Sequence, residues 1–139
     1  MRKAMVLAMV GLALMLWSCG DLLYNAKVGN VDRIQKALES GVSTEKRDHA
    51  GNTPLMIAAF NKQYDALEYL CKRGADVNAR NDKGATALIV AAYYNHPEAA
   101  RILLKCKADK TIKDYFGNTA LYYAEAYGYP EMIALLKTP

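Results

Sequence analysis

The chain has 139 residues, of which 53% are hydrophobic and 23% are charged, and its formal net charge is +4. This length fits one domain, because domains most often contain roughly 100–150 residues. Lysine and arginine are scattered without a long basic run, and their excess over acidic residues is small. The composition therefore argues against a nucleic-acid partner.

The N-terminal residues have the pattern of a secretory signal. Arg2 and Lys3 precede an uncharged, mostly aliphatic stretch over residues 4–17, and the next charged residue is Asp21. A membrane-spanning helix needs about 20 apolar residues, and this stretch is shorter. The pattern favours a cleaved signal peptide, with an uncleaved anchor helix as the alternative.

Residues 16–19, with the sequence Leu-Trp-Ser-Cys, resemble the lipobox of bacterial lipoproteins. The resemblance implies that a signal peptide of residues 1–18 is removed and that Cys19 carries a lipid at the start of the mature chain, residues 19–139. Trp17 departs from the lipobox, in which a small residue is usual. Cleavage after Gly20 without lipid would release a soluble protein. The expected location is the periplasmic side of the bacterial envelope, either membrane-anchored through Cys19 or soluble.

A period of 33 residues runs through the rest of the chain. It relates Gly51, Gly84 and Gly117, since 84 − 51 and 117 − 84 both equal 33. A fixed period of this length predicts a repeat architecture. The same spacing relates further columns: Thr53, Thr86 and Thr119; Leu55, Leu88 and Leu121; Ala58, Ala91 and Ala124; Leu70, Leu103 and Leu136.

The copy over residues 48–80 indicates the elements of each unit. Thr53 suits a helix N-cap, and Pro54 suits the first helical position, where its missing N–H costs nothing. Leu67 and Leu70 give a second helix its inward-facing stripe. Gly74 can adopt the left-handed conformation that ends that helix.

This pattern of a turn and two helices resembles the ankyrin repeat. The resemblance implies an all-α fold, an ankyrin-repeat solenoid of about four helix pairs joined by β-turn or hairpin loops. The first unit lacks the turn segment, and the last has the character of a C-terminal cap. The expected units cover about residues 21–47, 48–80, 81–113 and 114–137 of the ankyrin-repeat domain.

Two residues depart from the repeat pattern. Glu125 occupies the column of Ala59 and Ala92, which is acceptable where no repeat follows. Lys107 stands where Gly74 stood, and a lysine with positive φ costs on the order of 1 kcal/mol. We therefore expect a looser turn at Lys107.

The sequence offers no catalytic or metal-binding pattern. Cysteine and histidine lack metal-ligand spacing, and there is no phosphate-binding loop or serine nucleophile motif. His49 lies in a predicted turn and His96 at the start of a second helix, so both are interpreted as surface or structural residues. The prediction is a protein that is not an enzyme and needs no cofactor.

The two cysteines of the repeats are predicted to stay unbridged. Cys71 aligns with Leu38 and Leu104, which favours a small core residue, and Cys106 falls on an exposed turn. Equivalent positions of neighbouring helices lie about 8–10 Å apart, beyond the roughly 7 Å limit for a disulfide. Cys106 is then an exposed thiol that could link two molecules.

The resemblance implies that a protein partner binds to the turn tips and the exposed side of the first helices. Aromatic and basic residues are frequent in binding hot spots. Some rings, particularly Tyr93 and Phe116, could instead pack against adjacent helices, and Tyr122 and Tyr123 are expected in the core. The predicted partner-binding residues, on a cationic and aromatic concave face, are Phe60, Arg80, Tyr93, Tyr94, Lys113, Tyr115, Phe116 and Tyr127.

The leading functional hypothesis is a non-catalytic protein–protein interaction module, exported to the envelope and attached to a membrane through Cys19. An immunity-type inhibitor of another protein is a narrower form of it. The alternatives are an accessory protein that binds a small molecule or a peptidoglycan fragment, and a self-associating structural protein. The fold alone does not choose among them.

Overall fold

The computed structural model describes residues 21–139, so the signal-like segment and Cys19 lie outside the described residues. The described part of the chain forms eight α-helices and no strand, which confirms the predicted all-α class. In chain order these are α1 (Leu22–Val28), α2 (Val31–Glu39), α3 (Pro54–Phe60), α4 (Tyr64–Lys72), α5 (Ala87–Tyr93), α6 (Pro97–Lys105), α7 (Ala120–Ala126) and α8 (Pro130–Lys137).

The helices stack in two layers. The first helices α1, α3, α5 and α7 pack against one another in chain order, and the second helices α2, α4, α6 and α8 do the same. Each first helix also packs against its own second helix. The result is the predicted solenoid of four helix pairs. Within residues 21–139, none of the helices combines the length and the apolarity that crossing a bilayer requires.

A threonine caps the start of α3, α5 and α7. The hydroxyl oxygens of Thr53, Thr86 and Thr119 accept hydrogen bonds of 3.2–3.4 Å from the backbone N–H three residues later. Thr53 and Thr86 are almost fully buried, so this bond also satisfies a hydroxyl that has no access to water. The periodic threonines therefore fix where these three helices begin.

Alanine lines the contact between neighbouring repeats. Ala58, Ala59, Ala91 and Ala92 are fully buried at the centres of α3 and α5. Their small side chains let the first helices approach closely, while larger leucines fill the space between the layers. Glu125, in the same column as Ala59, lies exposed on α7 and pairs with Lys137, with 2.8 Å between the charged atoms.

The turn at Lys107 is not looser than its glycine counterpart. Lys107 has a φ of 64° and Gly74 a φ of 82°. The backbone N–H of Lys107 donates to Leu104 over 2.9 Å, and that of Gly74 donates to Cys71 over 3.0 Å. The prediction of a looser turn was wrong, because the helix-ending hydrogen bonds hold the lysine in the left-handed region.

Cys71 and Cys106 form a disulfide, so the prediction that they stay apart was wrong. Their Cα atoms are 6.2 Å apart, within the range that a disulfide can join. The helix-spacing argument fails because the two positions are not equivalent: they are 35 residues apart, two more than the period. Those two residues place Cys106 beyond the last turn of α6, at its C-cap, and from there it reaches Cys71 in the last turn of α4. Cys106 is therefore neither free nor fully exposed.

Candidate functional site

An open groove of about 690 Å³ extends along the first helices. The turns that precede these helices line one side of the groove, and the helices contribute apolar side chains such as Ile57 and Val90. Aromatic side chains from α3, from α5 and its C-cap, from α7 and from the turn before α7 also line the groove. The volume falls within the roughly 300–1,000 Å³ that is usual for ligand sites.

Each turn beside the groove is organised by an acidic or amide side chain at the same position of the repeat. The Asp48 carboxylate accepts hydrogen bonds from the backbone N–H groups of Ala50 and Asn52, at 2.9 and 2.8 Å. Asn81 and Asp114 occupy the same position in the next two repeats. The side chain of each accepts equivalent hydrogen bonds from the backbone N–H groups two and four residues after it. This repeated bonding holds the three turns in one conformation.

The carboxylates of Asp48 and Asp114 are held in the ionised form. Burial raises the pKa of Asp48, but hydrogen bonds from Asn52 and Ala50 outweigh burial and lower it below its usual value. Burial likewise raises the pKa of Asp114, and hydrogen bonds from Tyr123, Asn118 and Phe116 bring it below its usual value. The groove wall is therefore anionic at these two points at neutral pH.

Hydrogen bonds also join one turn to the next. The Asn81 amide donates to the Asn52 side-chain oxygen over 2.9 Å, and the Asp82 N–H donates to the Ala50 carbonyl over 3.1 Å. One repeat further, the Tyr115 N–H donates to the Lys83 carbonyl over 3.0 Å. The wall of the groove is therefore continuous across three repeats.

Two arginines reinforce the turns from a position outside the groove. Arg47 donates to the carbonyls of Gly51 and Arg80, and Arg80 donates to those of Gly84 and Lys113, over 2.6–3.1 Å. The Arg80 guanidinium also lies 5.0 Å from the centre of the Tyr115 ring. These arginines therefore hold successive turns together.

A row of five rings borders the groove, and we call it the aromatic ridge. Successive centroids are 4.7 Å apart for Phe60 and Tyr94, 5.0 Å for Tyr94 and Tyr93, and 5.2 Å for Tyr93 and Tyr123. The Tyr127 ring contacts Tyr93 edge to face, with 5.4 Å between centroids. The rings stabilise one another in this geometry, yet Phe60 and Tyr94 remain 45% and 50% exposed. Packing and exposure thus coexist in the ridge.

Tyr122 and Tyr123 do not lie in the core, which corrects their sequence-based assignment. Tyr122 shares the column of Met56 and Ile89, but it is 53% exposed because no described helix covers α7 on that side. Tyr123 is partly buried and lines the groove. Its hydroxyl donates to Asp114 over 2.6 Å, and burial followed by this bond raises its pKa.

Two family models match the chain in adjoining segments. The model described as "Ankyrin repeat" matches residues 50–82, and the one described as "Ankyrin repeats (3 copies)" matches residues 80–138. The chain is an ankyrin-repeat protein. Ankyrin repeats generally act as non-catalytic scaffolds that mediate binding to protein partners. A comparison with curated proteins found no match.

The ankyrin-repeat domain brings only part of the predicted partner-binding set to the groove. Phe60, Tyr93, Tyr94 and Phe116 line it, and Tyr127 joins it through the ridge. Three predicted residues do not line it: Arg80, Lys113 and Tyr115.

Sequence reasoning missed several groove residues of the ankyrin-repeat domain, chiefly Asp48, Asn81, Asp114 and Tyr123. The first three occupy one column of the 33-residue period, so the signal was present. Tyr123 occupies the column of Ile57 and Val90, which also line the groove.

The two histidines of the ankyrin repeats lie in different environments. His96 is buried, and its Nδ1 lies 3.2 Å from the Ala59 carbonyl oxygen. Burial lowers its pKa. His49 is exposed in the turn before α3. Over residues 21–139, no group of three or more His, Cys, Asp or Glu side chains could hold a metal ion.

Proposed function

We propose that this ankyrin-repeat protein is a non-catalytic binding module of the bacterial envelope, which captures a protein partner in the groove along its first helices. The observation that carries the proposal is the preformed groove with exposed aromatic rings on a rigid wall. Rings combine large contact area with little conformational freedom to lose, which suits them to recognition. The partner-binding residues we assign are Phe60, Tyr93, Tyr94, Phe116, Tyr123 and Tyr127.

The rigidity of the site supports binding by a preformed surface. The turns are fixed by side-chain hydrogen bonds from Asp48, Asn81 and Asp114, and the ridge rings are fixed by their neighbours. A surface that is already ordered loses little entropy when a partner binds. We therefore expect the groove to change little on complex formation.

Export to the periplasmic side, with a lipid on Cys19, is the second part of the proposal. The Cys71–Cys106 bridge supports it, because disulfides persist in oxidising compartments and are rare in the cytosol. Helix α1 is capped by Asp21, only two residues after Cys19. Chain spans at most about 3.6 Å per residue, so a lipid on Cys19 would hold α1 within roughly 11 Å of the anchor.

Replacing the side chain of Cys19 tests the export proposal. In cells fed labelled fatty acid, the wild-type chain should become labelled and sediment with membranes, whereas Cys19→Ala should lose the label. Cys106→Ala serves as the cysteine control and should keep it. Equal labelling of wild type and Cys19→Ala would contradict the lipid anchor, and absence of both proteins from the envelope fraction would contradict export.

The binding proposal is tested with adjacent residues of similar exposure. Phe116 and Tyr115 are 73% and 69% exposed at one turn tip, but only Phe116 lines the groove. A partner captured from envelope extract and then purified should form a stoichiometric complex. Its affinity should fall at least about tenfold with Phe116→Ala plus Tyr94→Ala, as expected of hot spots worth over about 1 kcal/mol each. Tyr115→Ala and Tyr24→Ala, which alter exposed residues that do not line the groove, should bind normally, and equal binding by all variants would place the interface elsewhere.

The size of the groove also favours a second candidate, an accessory protein that binds a peptidoglycan fragment or another small molecule. The rings could stack against sugar faces while the wall offers polar groups. Equilibrium dialysis with purified cell-wall fragments would decide between the two. Saturable binding that Phe116→Ala weakens, without any co-purifying protein, would favour the small ligand.

A further inference from the structure

We propose that Cys71 and Cys106 form a reversible thiol–disulfide exchange site, which a dithiol can reach while the protein stays folded. The pair lies away from the groove, and the proposal does not depend on what the groove binds. It rests on three features of the described residues: the exposure of the bridge, the charges beside it, and the helices that it joins.

The bridge borders an open cleft on the second-helix layer. Both cysteines are only partly buried, and both line a cleft of about 380 Å³ that also contains Ala75, Val77 and Ile102. A disulfide sealed in a core is inert toward dithiols unless the fold opens first. The cleft beside this bridge is open to solvent, and it is the route by which a small dithiol, or the cysteine of an oxidoreductase, would reach a sulfur.

Two lysines flank the bridge and give the cleft positive charge. Lys72 follows Cys71, Lys105 precedes Cys106, and both lysines are among the residues that line the cleft. Glu68, on the same cleft, lies 3.5 Å from the Lys72 ammonium and offsets part of that charge. The attacking and departing species in thiol–disulfide exchange are thiolates, which nearby ammonium groups stabilise.

The bridge fastens two repeats at the second-helix layer. Cys71 lies in the last turn of α4 and Cys106 is the C-cap of α6, and these two helices pack side by side. The groove is lined instead by the first helices and their turns, and it shares no lining residue with the cleft. Reduction therefore releases a covalent tie between neighbouring repeats without removing a groove residue.

The exchange involves two thiol–disulfide steps. A thiolate of the dithiol attacks one bridge sulfur, the Cys71–Cys106 bond breaks, and the other cysteine leaves as a thiolate that takes up a proton. The second thiol of the dithiol loses its proton and attacks the mixed disulfide, which frees the remaining cysteine as a thiol. The dithiol is oxidised to a disulfide and the bridge gains two electrons and two protons. A disulfide of the same chemical class restores the bridge by the reverse steps.

The test measures how the folded full-length chain is reduced. Protein isolated with thiols blocked is treated with increasing dithiothreitol, and the new thiols are alkylated and counted by mass. The proposal predicts a rate that rises in proportion to dithiothreitol and is insensitive to urea below the unfolding transition. A rate that levels off at the unfolding rate, or rises steeply with such urea, would overturn it. So would two free thiols at Cys71 and Cys106 that a small-molecule disulfide fails to close in the folded protein.

Matched lysine variants test the contribution of charge. Lys72→Ala and Lys105→Ala should slow the reduction several-fold, and more so at low salt, whereas Lys36→Ala on α2 should leave the rate unchanged. Equal rates for all three variants would exclude the proposed role of the two lysines.

Amide hydrogen exchange measures how reduction of the disulfide affects the two helices that it joins. Reduction should increase amide exchange at the C-terminal ends of α4 and α6 and leave α1 unchanged, and the double variant Cys71→Ser, Cys106→Ser should reproduce that pattern without reductant. Unchanged exchange after complete reduction would show that the bridge does not restrain the repeat junction.

Discussion

The Tyr123 hydroxyl donates a 2.6 Å hydrogen bond to the carboxylate of Asp114, and this bond joins helix α7 to the turn that precedes it. Asp114 also accepts backbone N–H bonds from Phe116 and Asn118. The bond therefore connects the aromatic ridge with the polar wall of the groove. In the two preceding repeats, apolar Ile57 and Val90 occupy the column of Tyr123, so this connection is particular to the last repeat.

Tyr123→Phe is expected to lower the free energy of unfolding by about 1–2 kcal/mol at neutral pH, because a hydrogen bond to a carboxylate is lost. The remaining N–H bonds keep part of the stabilisation of Asp114. Urea unfolding at pH 7 measures the difference. Tyr122→Phe, which alters an exposed neighbour, is the control and should change stability little.

The same bond predicts a dependence on pH. Because hydrogen bonding depresses the pKa of Asp114 in the folded state, its contribution to stability is complete above the unfolded-state pKa of about 3.9 and disappears as pH falls through the lower folded-state value. The stability difference between wild type and Tyr123→Phe should therefore shrink below about pH 4. A constant difference from pH 7 to pH 2 would contradict this assignment.

Lysines in the left-handed region provide a third prediction. Lys62 and Lys107 have φ values of 59° and 64°, a conformation that costs a non-glycine residue on the order of 1 kcal/mol. Lys107→Gly should raise stability by up to about 0.5–1 kcal/mol, less the greater chain entropy of glycine in the unfolded state. Thermal and urea unfolding measure the change.

Lys105→Gly is the matched control for Lys107→Gly. Lys105 is the last residue of α6, where glycine is unfavourable by up to about 1 kcal/mol, so its replacement should lower stability. Destabilisation by both substitutions would mean that the Lys107 side chain stabilises the fold by more than its backbone conformation costs.

The period of 33 residues predicted the helix pairs, the threonine caps and the buried alanines, because these features recur in every inner repeat. It also contains a column that the sequence reading overlooked: Gly29, Lys62, Asn95 and Gly128 all have positive φ, between the two helices of each unit. Only two of the four residues are glycine, so residue type alone did not indicate that all four share the left-handed conformation.

Features that differ between repeats were the ones predicted wrongly. Tyr122 is exposed because its repeat lacks a following neighbour among the described residues, although its column is buried elsewhere. The Cys71–Cys106 bridge joins two different columns of the repeat. Aligning the repeats therefore gave no indication that the Cα atoms of these two residues lie 6.2 Å apart. The groove is built from columns that recur with the period, but residue type within a column changes between repeats, as it does for Ile57, Val90 and Tyr123. The fold was therefore easier to predict than the site.

Arg80 links consecutive turns, and its removal should weaken the stack. Its guanidinium donates to the carbonyls of Gly84 and Lys113 and faces the Tyr115 ring. Arg80→Ala should lower the free energy of unfolding by about 1–2 kcal/mol, a modest value because the side chain is exposed. Arg80→Lys should recover less than half, since a single ammonium group cannot reproduce the forked geometry. If Arg80→Lys restored the full free energy of unfolding, Arg80 would act only through its charge and its aliphatic chain.

The disulfide should contribute more to stability than any of these single side chains. It closes a loop with a sequence separation of 35 residues, for which the loss of chain entropy in the unfolded state corresponds to about 3–4 kcal/mol. The oxidised protein should therefore unfold at higher urea than the double variant Cys71→Ser, Cys106→Ser, and addition of dithiothreitol should bring the two midpoints together. The double variant is its own control, because its midpoint should not respond to reductant. Equal midpoints before reduction, with the bridge verified by mass, would mean that strain or residual structure in the unfolded chain cancels the gain from the cross-link.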